Sequence, residues 1–295
     1  MRALATIPGL HHSPDALKAL VDRRLGELLP RPGDPGDLVA LAIREAATGP
    51  GKRTRPVMML AIGHELDAPT RGLLDAACAV EMVHAASLVL DDMPCMDNAQ
   101  MRRGRPTIHR RFGEDIAALA SIGLLSQAFS LLAGLPEVQP ETRNQLVALL
   151  ACAIGPQGLV GGQCLDLREA PEQSADQVSN KNALKTGALF AAAFEMTAVV
   201  AQTDTQTRQS LRRLALELGQ AFQLQDDLQD GEDSTSSGKD SGQDAGKSTL
   251  ISLLGIAHSR EQMRQHVQRI ETALADLFGA SSPLLQYCRK LFKVP

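Results

Sequence analysis

Residues 84–109 read HAASLVLDDMPCMDNAQMRRGRPTIH. Asp91, Asp92 and Asp97 lie within seven residues, and Arg102 and Arg103 follow at once. Clustered carboxylates offer hard oxygen ligands to a divalent cation. Adjacent guanidinium groups match phosphate oxygens. Side by side, they point to a site for a metal-complexed di- or triphosphate. The stretch ahead of them, residues 71–92, is apolar almost all round, which predicts a long, central, buried helix. Asp91 and Asp92 end that helix, where its dipole disfavours negative charge. A bound cation would offset the cost. Asp97 lies past Pro94, need not keep helical spacing, and can fold back to share a metal with Asp91. His84, two turns before Asp91, shares its face.

The other half of such a site lies at residues 222–230, FQLQDDLQD. Asp226 and Asp230 are four apart on one face of a predicted helix, 205–230, and repel unless a cation lies between them. Asp227 adjoins them. The Gly-, Ser- and Asp-rich segment 231–247 that follows carries Lys239 and Lys247 and reads as a mobile lid. Upstream, GKRTRP at 51–56 sets Lys52, Arg53 and Arg55 on a loop opening a helix, whose N-terminus favours anions. Lys185-Thr186-Gly187 falls inside a predicted helix, 174–202. Glycine there costs about 1 kcal/mol relative to Ala and marks a kink or a close backbone approach. A kink would turn carbonyl oxygens toward a cavity. The segment 155–167, GPQGLVGGQCLDL, reads as a kinked helix against that cavity, with Gln163 and Asp166 either supporting groups behind the site or packing features, Asp166 favoured as packing.

The chain of 295 residues is rich in Ala and Leu, with no Trp and one Tyr. That composition favours helix over strand. Further helices are expected at 14–29, 37–48, 56–65, 114–133, 139–154, 249–257, 260–278 and 283–292, and a basic loop at 101–113. There is no composition break and no solenoid repeat, so the reading is all-α, one domain over 1–295, with a loose leader at 1–13. A net charge of −4 gives no sign of nucleic-acid binding. No apolar run is expected to span a bilayer, and no signal-peptide core is present, which predicts a cytoplasmic protein. Five cysteines without metal spacing read as free thiols in a reducing compartment, with Cys95 filling space.

Two acidic helix ends facing each other across a bundle would hold two or three Mg²⁺ ions on one diphosphate. Such a site above a greasy pocket makes diphosphate a leaving group and ionises an allylic C–O bond. With few aromatic residues, the carbocation would rest on helix carbonyls near Lys185 and Thr186 and on the Gln223 amide. Lys52, Arg55 and His84 would hold a second, metal-independent diphosphate.

Five ordered motifs, GKRTRP, HAASLVLDDMPCMD, RRGRP, KTG and FQLQDDLQD with its following GKD and GKST, run from about Gly49 to Leu254. On them the chain resembles the trans-isoprenyl diphosphate synthases, most closely the bacterial geranylgeranyl diphosphate synthases of carotenoid pathways. The resemblance implies the isoprenoid synthase fold, long and mostly antiparallel helices around a deep central cavity, and a homodimer. It implies Mg²⁺ dependence, with Mn²⁺ as a substitute, and 1'-4 condensation of isopentenyl diphosphate with an allylic diphosphate. Carried over by motif, Lys52, Arg55, His84 and Arg103 bind isopentenyl diphosphate. Asp91 and Asp97 bind two Mg²⁺ with Asp92 in support. Asp226 binds the third, with Asp227 and Asp230 nearby. Arg102, Lys185, Thr186, Gln223, Lys239 and Lys247 contact the allylic substrate. Farnesyl-producing bacterial relatives carry an aromatic residue five before the first Asp. Here that position is Ala86, followed by Ser87, and the first motif is DDxxxxD, so a C20 product is expected, with C15 and C25 the alternatives. Leu90 and Ala99 depart from the pattern of many relatives. A terpene cyclase or a squalene-type synthase would lack GKRTRP, and a regulatory subunit would tend to lose acidic ligands that are all present here.

Overall fold

Ser13 caps the first helix: its hydroxyl accepts the Ala16 amide, and Pro14 sits where no amide hydrogen is needed. In the computed structural model residues 13–34, 36–168, 173–232 and 250–292 are described, the side chains of 230–232 excepted. The expected leader, but for Ser13, and the lid segment from 233 onward, with Lys239 and Lys247, lie outside the described residues. The elements run α1 (Pro14–Leu28), α2 (Leu38–Thr48), α3 (Thr54–Glu65), α4 (Thr70–Asp91), β1 (Met101–Arg102), β2 (Arg105–Pro106), α5 (Ile108–Phe112), α6 (Glu114–Ala133), α7 (Pro140–Ile154) and α8 (Leu159–Leu167). They continue with α9 (Ala175–Asn182), a π-helical turn (Ala183–Gly187), α10 (Ala188–Val200), α11 (Thr205–Glu232), α12 (Leu250–Leu254), α13 (Ile256–Phe278) and α14 (Pro283–Phe292).

The all-α expectation holds, and α4 is the buried helix its sequence predicts. Apolar side chains on every face of it are buried, against α6, α3 and α10. Two buried charges tie its outer turns to neighbours. Asp75 takes Arg24 of α1 in two bonds of 2.7 and 3.0 Å, and Glu81 takes Arg53 at 2.9 Å. The second apolar helix, α10, packs against α11 and α7, so α4, α10 and α11 bring the acidic, KTG and second acidic motifs to one core.

Residues 101–113 are not a loop. Met101 pairs with Pro106 and Arg102 with Arg105. Arg103 and Gly104, with φ of 51° and 76°, form the two-residue turn. Positive φ at both positions matches the twist of a tight hairpin. Gly104 adopts it readily, while Arg103 does so against about 1–2 kcal/mol of steric preference.

The expected helix 174–202 is interrupted where its glycine falls. The π turn is wedged between two close approaches. A Cβ on Gly162 of α8 would lie 2.4 Å from the Lys185 nitrogen, and one on Gly219 of α11 would lie 2.7 Å from the Gly187 Cα. Only hydrogen fits at either position.

The expectation that no apolar run is long enough to span a bilayer does not hold. By length and hydropathy four helical stretches could cross a membrane, Thr70–Asp91, Glu114–Ala133, Pro140–Leu167 and Ala175–Val200. The windows 116–133 and 144–165 carry no charged residue over their whole length. In the first and last the apolar windows are 72% and 67% buried, which explains their composition as core. In Glu114–Ala133 and Pro140–Leu167 only 33% and 28% is buried. Leu119 and Ile122 of α6 are 50% and 63% exposed.

Candidate active site

Both acidic helix ends open on one cavity of about 960 Å³, lined by Asp91 of α4 and Asp226 of α11. The Asp97 amide donates to the Asp91 carbonyl at 2.9 Å, so the chain does fold back past Pro94. Burial, with Asp97 and Asp92 close by and Lys185 and Arg102 opposing, pushes the Asp91 carboxyl up to about 6. Two of the other acidic residues, Asp92 and Asp227, are already engaged. Asp92 is buried and takes Arg102 through both oxygens at 2.8 Å. Asp227 is buried and accepts the Gln223 amide at 2.8 Å. Asp230 lies on α11, its side chain outside the described set.

Donor chemistry gives the test for a metal. Among the described residues no three His, Cys, Asp or Glu side chains converge into a protein-only cage. The sparse carboxylates that line the cavity fit Mg²⁺, which keeps its waters and takes one or two carboxylates plus phosphate oxygens. Asp91 and Asp226 are such carboxylates, and the desolvated Asp91 gains most from a cation.

The basic groups rim the same cavity. Lys52, Arg55, His84, Arg102, Arg103, Lys185 and Thr186 all line it. Gly51 makes room for the rim: a Cβ there would meet the Arg103 Nη1 at 2.5 Å and the Arg53 Nη1 at 3.0 Å. Arg103 reaches from the hairpin tip to donate to the Pro50 carbonyl at 2.8 Å. Burial pulls Arg55 down to about 10, with Glu81 and Asp226 opposing. Burial, then Arg55 and Arg103, holds His84 far below its usual range, so it is a neutral imidazole at pH 7. Arg53, from the same loop, has a different duty. It is buried, in left-handed backbone, and bonds Asp22, Glu81 and the Gly49 carbonyl, fixing the loop to α1 and α4.

Ala86, Ser87 and Leu90 wall the cavity along α4, with Leu125 and Leu159 opposite. Gln223 does not line it. Its carbonyl accepts the Thr186 hydroxyl at 3.0 Å, so it braces the π turn. Two groups carry more than the sequence reading gave them. Phe190 and Phe222 line the cavity and stack at 5.1 Å, and Arg55 lies over the Phe190 ring at 4.2 Å. A low aromatic total thus hid a local concentration. Asp166 is the other. It is not mere packing but a buried carboxylate paired with Lys185 at 2.5 Å and Lys181 at 3.1 Å.

A family profile, described as polyprenyl synthetase, matches residues 37–277. The chain belongs to the polyprenyl synthetase family. It is 51% identical over 265 residues to a geranylgeranyl diphosphate synthase of Pantoea ananas, covering 88% of this chain and 87% of that one. It is 46% identical over 269 residues to a geranylgeranyl diphosphate synthase of Pseudescherichia vulneris, covering 90% and 86%. Among solved structures, an FPP/GFPP synthase from Zymomonas mobilis superimposes with a TM-score of 0.84 at 34% identity, over 95% of this chain and 97% of that one. This polyprenyl synthetase is therefore an enzyme of prenyl transfer, with the all-α isoprenoid synthase fold.

Proposed function

We propose that the enzyme condenses isopentenyl diphosphate with allylic primers and releases a C20 product, geranylgeranyl diphosphate. The observation that carries the reading is the cavity wall below Asp91, where Ala86 and Ser87 leave room along α4. Identity to two geranylgeranyl synthases supports it.

In this reading Arg102, Lys185 and Thr186 hold the allylic diphosphate beside Asp91 and Asp226. Bound Mg²⁺ would supply charge neutralisation for the leaving diphosphate, with Asp91 and Asp97 holding two ions and Asp226 a third, and Mn²⁺ serving as a substitute. Lys52, Arg55, Arg103 and neutral His84 hold isopentenyl diphosphate with its double bond toward the allylic carbon. The apolar wall keeps water from the carbocation. The Phe190 and Phe222 rings line the same space, and aromatic faces favour positive charge. The proton leaves to the released diphosphate, so no side-chain base is needed. Lys239 and Lys247 complete the allylic site by motif, and Asp230 stands near the third ion.

The enzyme is proposed to work as a cytoplasmic homodimer of single-domain subunits. The exposed apolar stripe on α6, Leu119 and Ile122, supports self-association, which light scattering on a size-exclusion column tests. The decisive experiment for function incubates the protein with Mg²⁺, isopentenyl diphosphate and farnesyl diphosphate, with mass spectrometry of the product. A C20 diphosphate is expected. C15 from dimethylallyl diphosphate with no elongation of farnesyl refutes the open wall. No product from any primer refutes catalysis and leaves the regulatory subunit.

A further inference from the structure

Lys181 and Lys185 stand four apart on the helix running into the π turn, and a single carboxylate from another helix lies between them. Asp166 accepts Lys185 Nζ at 2.5 Å through Oδ2 and Lys181 Nζ at 3.1 Å through Oδ1. Asp166 and Lys181 are 8% and 5% exposed, whereas the Lys185 side chain is 26% exposed and lines the cavity. The arrangement depends on Gly162. That glycine lies one turn before Asp166 on α8, and its missing Cβ lets α8 touch the backbone at Lys185.

The Asp166 carboxylate thus spans both ammonium groups, Lys181 inside and Lys185 at the cavity wall. An ammonium has three protons in a fixed tetrahedral arrangement. Directing one to Asp166 sets the directions of the other two. Lysine alone is a flexible point charge whose aim is lost over four rotatable bonds. We propose that Asp166 is the positioning residue that aims Lys185 at the diphosphate of the allylic substrate, with Lys181 anchoring the carboxylate through its other oxygen. The inference rests on the prenyl-transfer reading and names what orients one of its binding groups.

The test is steady-state kinetics with the full-length protein, Mg²⁺, farnesyl diphosphate and isopentenyl diphosphate, each substrate varied in turn. Wild-type turnover is measured first, and its absence would reject the functional reading rather than this inference. Asp166→Asn is expected to raise KM for farnesyl diphosphate about tenfold, the loss of one well-aimed charged hydrogen bond. KM for isopentenyl diphosphate is expected to stay within about twofold. Asp166→Glu should recover part of the loss, and Lys181→Met should weaken the farnesyl diphosphate site in the same sense as Asp166→Asn. The discriminating measurement repeats Asp166→Asn in a Lys185→Met background. A positioning role leaves nothing for the second change to remove, so the added effect is below about twofold. A tenfold effect that persists without Lys185, or an equal rise in both KM values, would overturn the proposal. If Asp166→Asn fails to fold, Lys181→Met with Lys185→Met gives the same cycle for the supporting lysine, and additivity there overturns it equally.

Discussion

Replacing Asp91 by Asn should make the metal-free protein more stable. The Asp91 carboxyl stands at about 6 against an ordinary 3.8, because burial disfavours its charge. A raised carboxylate binds its proton more tightly folded than unfolded. Below the unfolded value both states are protonated and the site costs nothing. The cost grows as pH rises from 3.8 to about 6 and is complete above that. Two units at about 1.4 kcal/mol each would be about 3 kcal/mol, and screening by water in the cavity trims this to about 1–2 kcal/mol. No hydrogen bond from another side chain is given up, as Asp91 has none among the described residues. The assay is thermal unfolding in EDTA of wild type and Asp91→Asn at about pH 8 and about pH 4. The variant should melt several degrees higher at the upper pH, with the gap closing at the lower. Added Mg²⁺ should raise the wild-type midpoint more than the variant's. A variant that melts lower at the upper pH, or a gap that is the same at both, would refute the argument that Asp91 is held desolvated for a cation.

Ala86→Phe places a ring in the cavity wall about 7 Å along α4 from Asp91; it should cut kcat/KM for farnesyl diphosphate by about 100-fold and shift the product from C20 to C15, read by mass spectrometry. Phe190→Leu removes the face on which Arg55 rests and should raise KM for isopentenyl diphosphate about 3- to 10-fold with kcat little changed. Gly51→Ala drives the Arg103 guanidinium from the Pro50 carbonyl and should raise the same KM about tenfold, while KM for the allylic primer holds.

What the sequence disclosed was chemistry with a local signature. Asp91 and Asp226 could be found because like charges at helix ends need a reason, and both line the cavity. The break at Lys185 was legible because Gly187 is a poor helix residue, and the π turn is centred there. What stayed hidden depends on distance in the chain. Asp166 meets Lys185 across 19 residues through a glycine contact that no spacing rule encodes. Arg53 and Arg55 look alike in GKRTRP, yet Arg53 is committed to Asp22 and Glu81 while Arg55 faces the cavity. The hairpin at Arg103 was missed because a run of arginines outweighed the turn preference of Gly104. The length of the apolar runs in α6 and α7–α8 was also misjudged, and both are long and apolar enough to cross a membrane by length and composition.

The wedge around the π turn also constrains how the gene can drift. A π turn is one residue more than a regular helix needs. Deleting any one residue in 183–187 would let the segment relax into ordinary helix, and that is favourable locally. It would also rotate everything before the deletion by about 100° relative to α10. Lys181 would leave Asp166, and the hydrogen-only seats at Gly162 and Gly219 would face side chains. Single-residue deletions here should be purged more strictly than most substitutions, so the length of this segment, more than its composition, is the inherited trait.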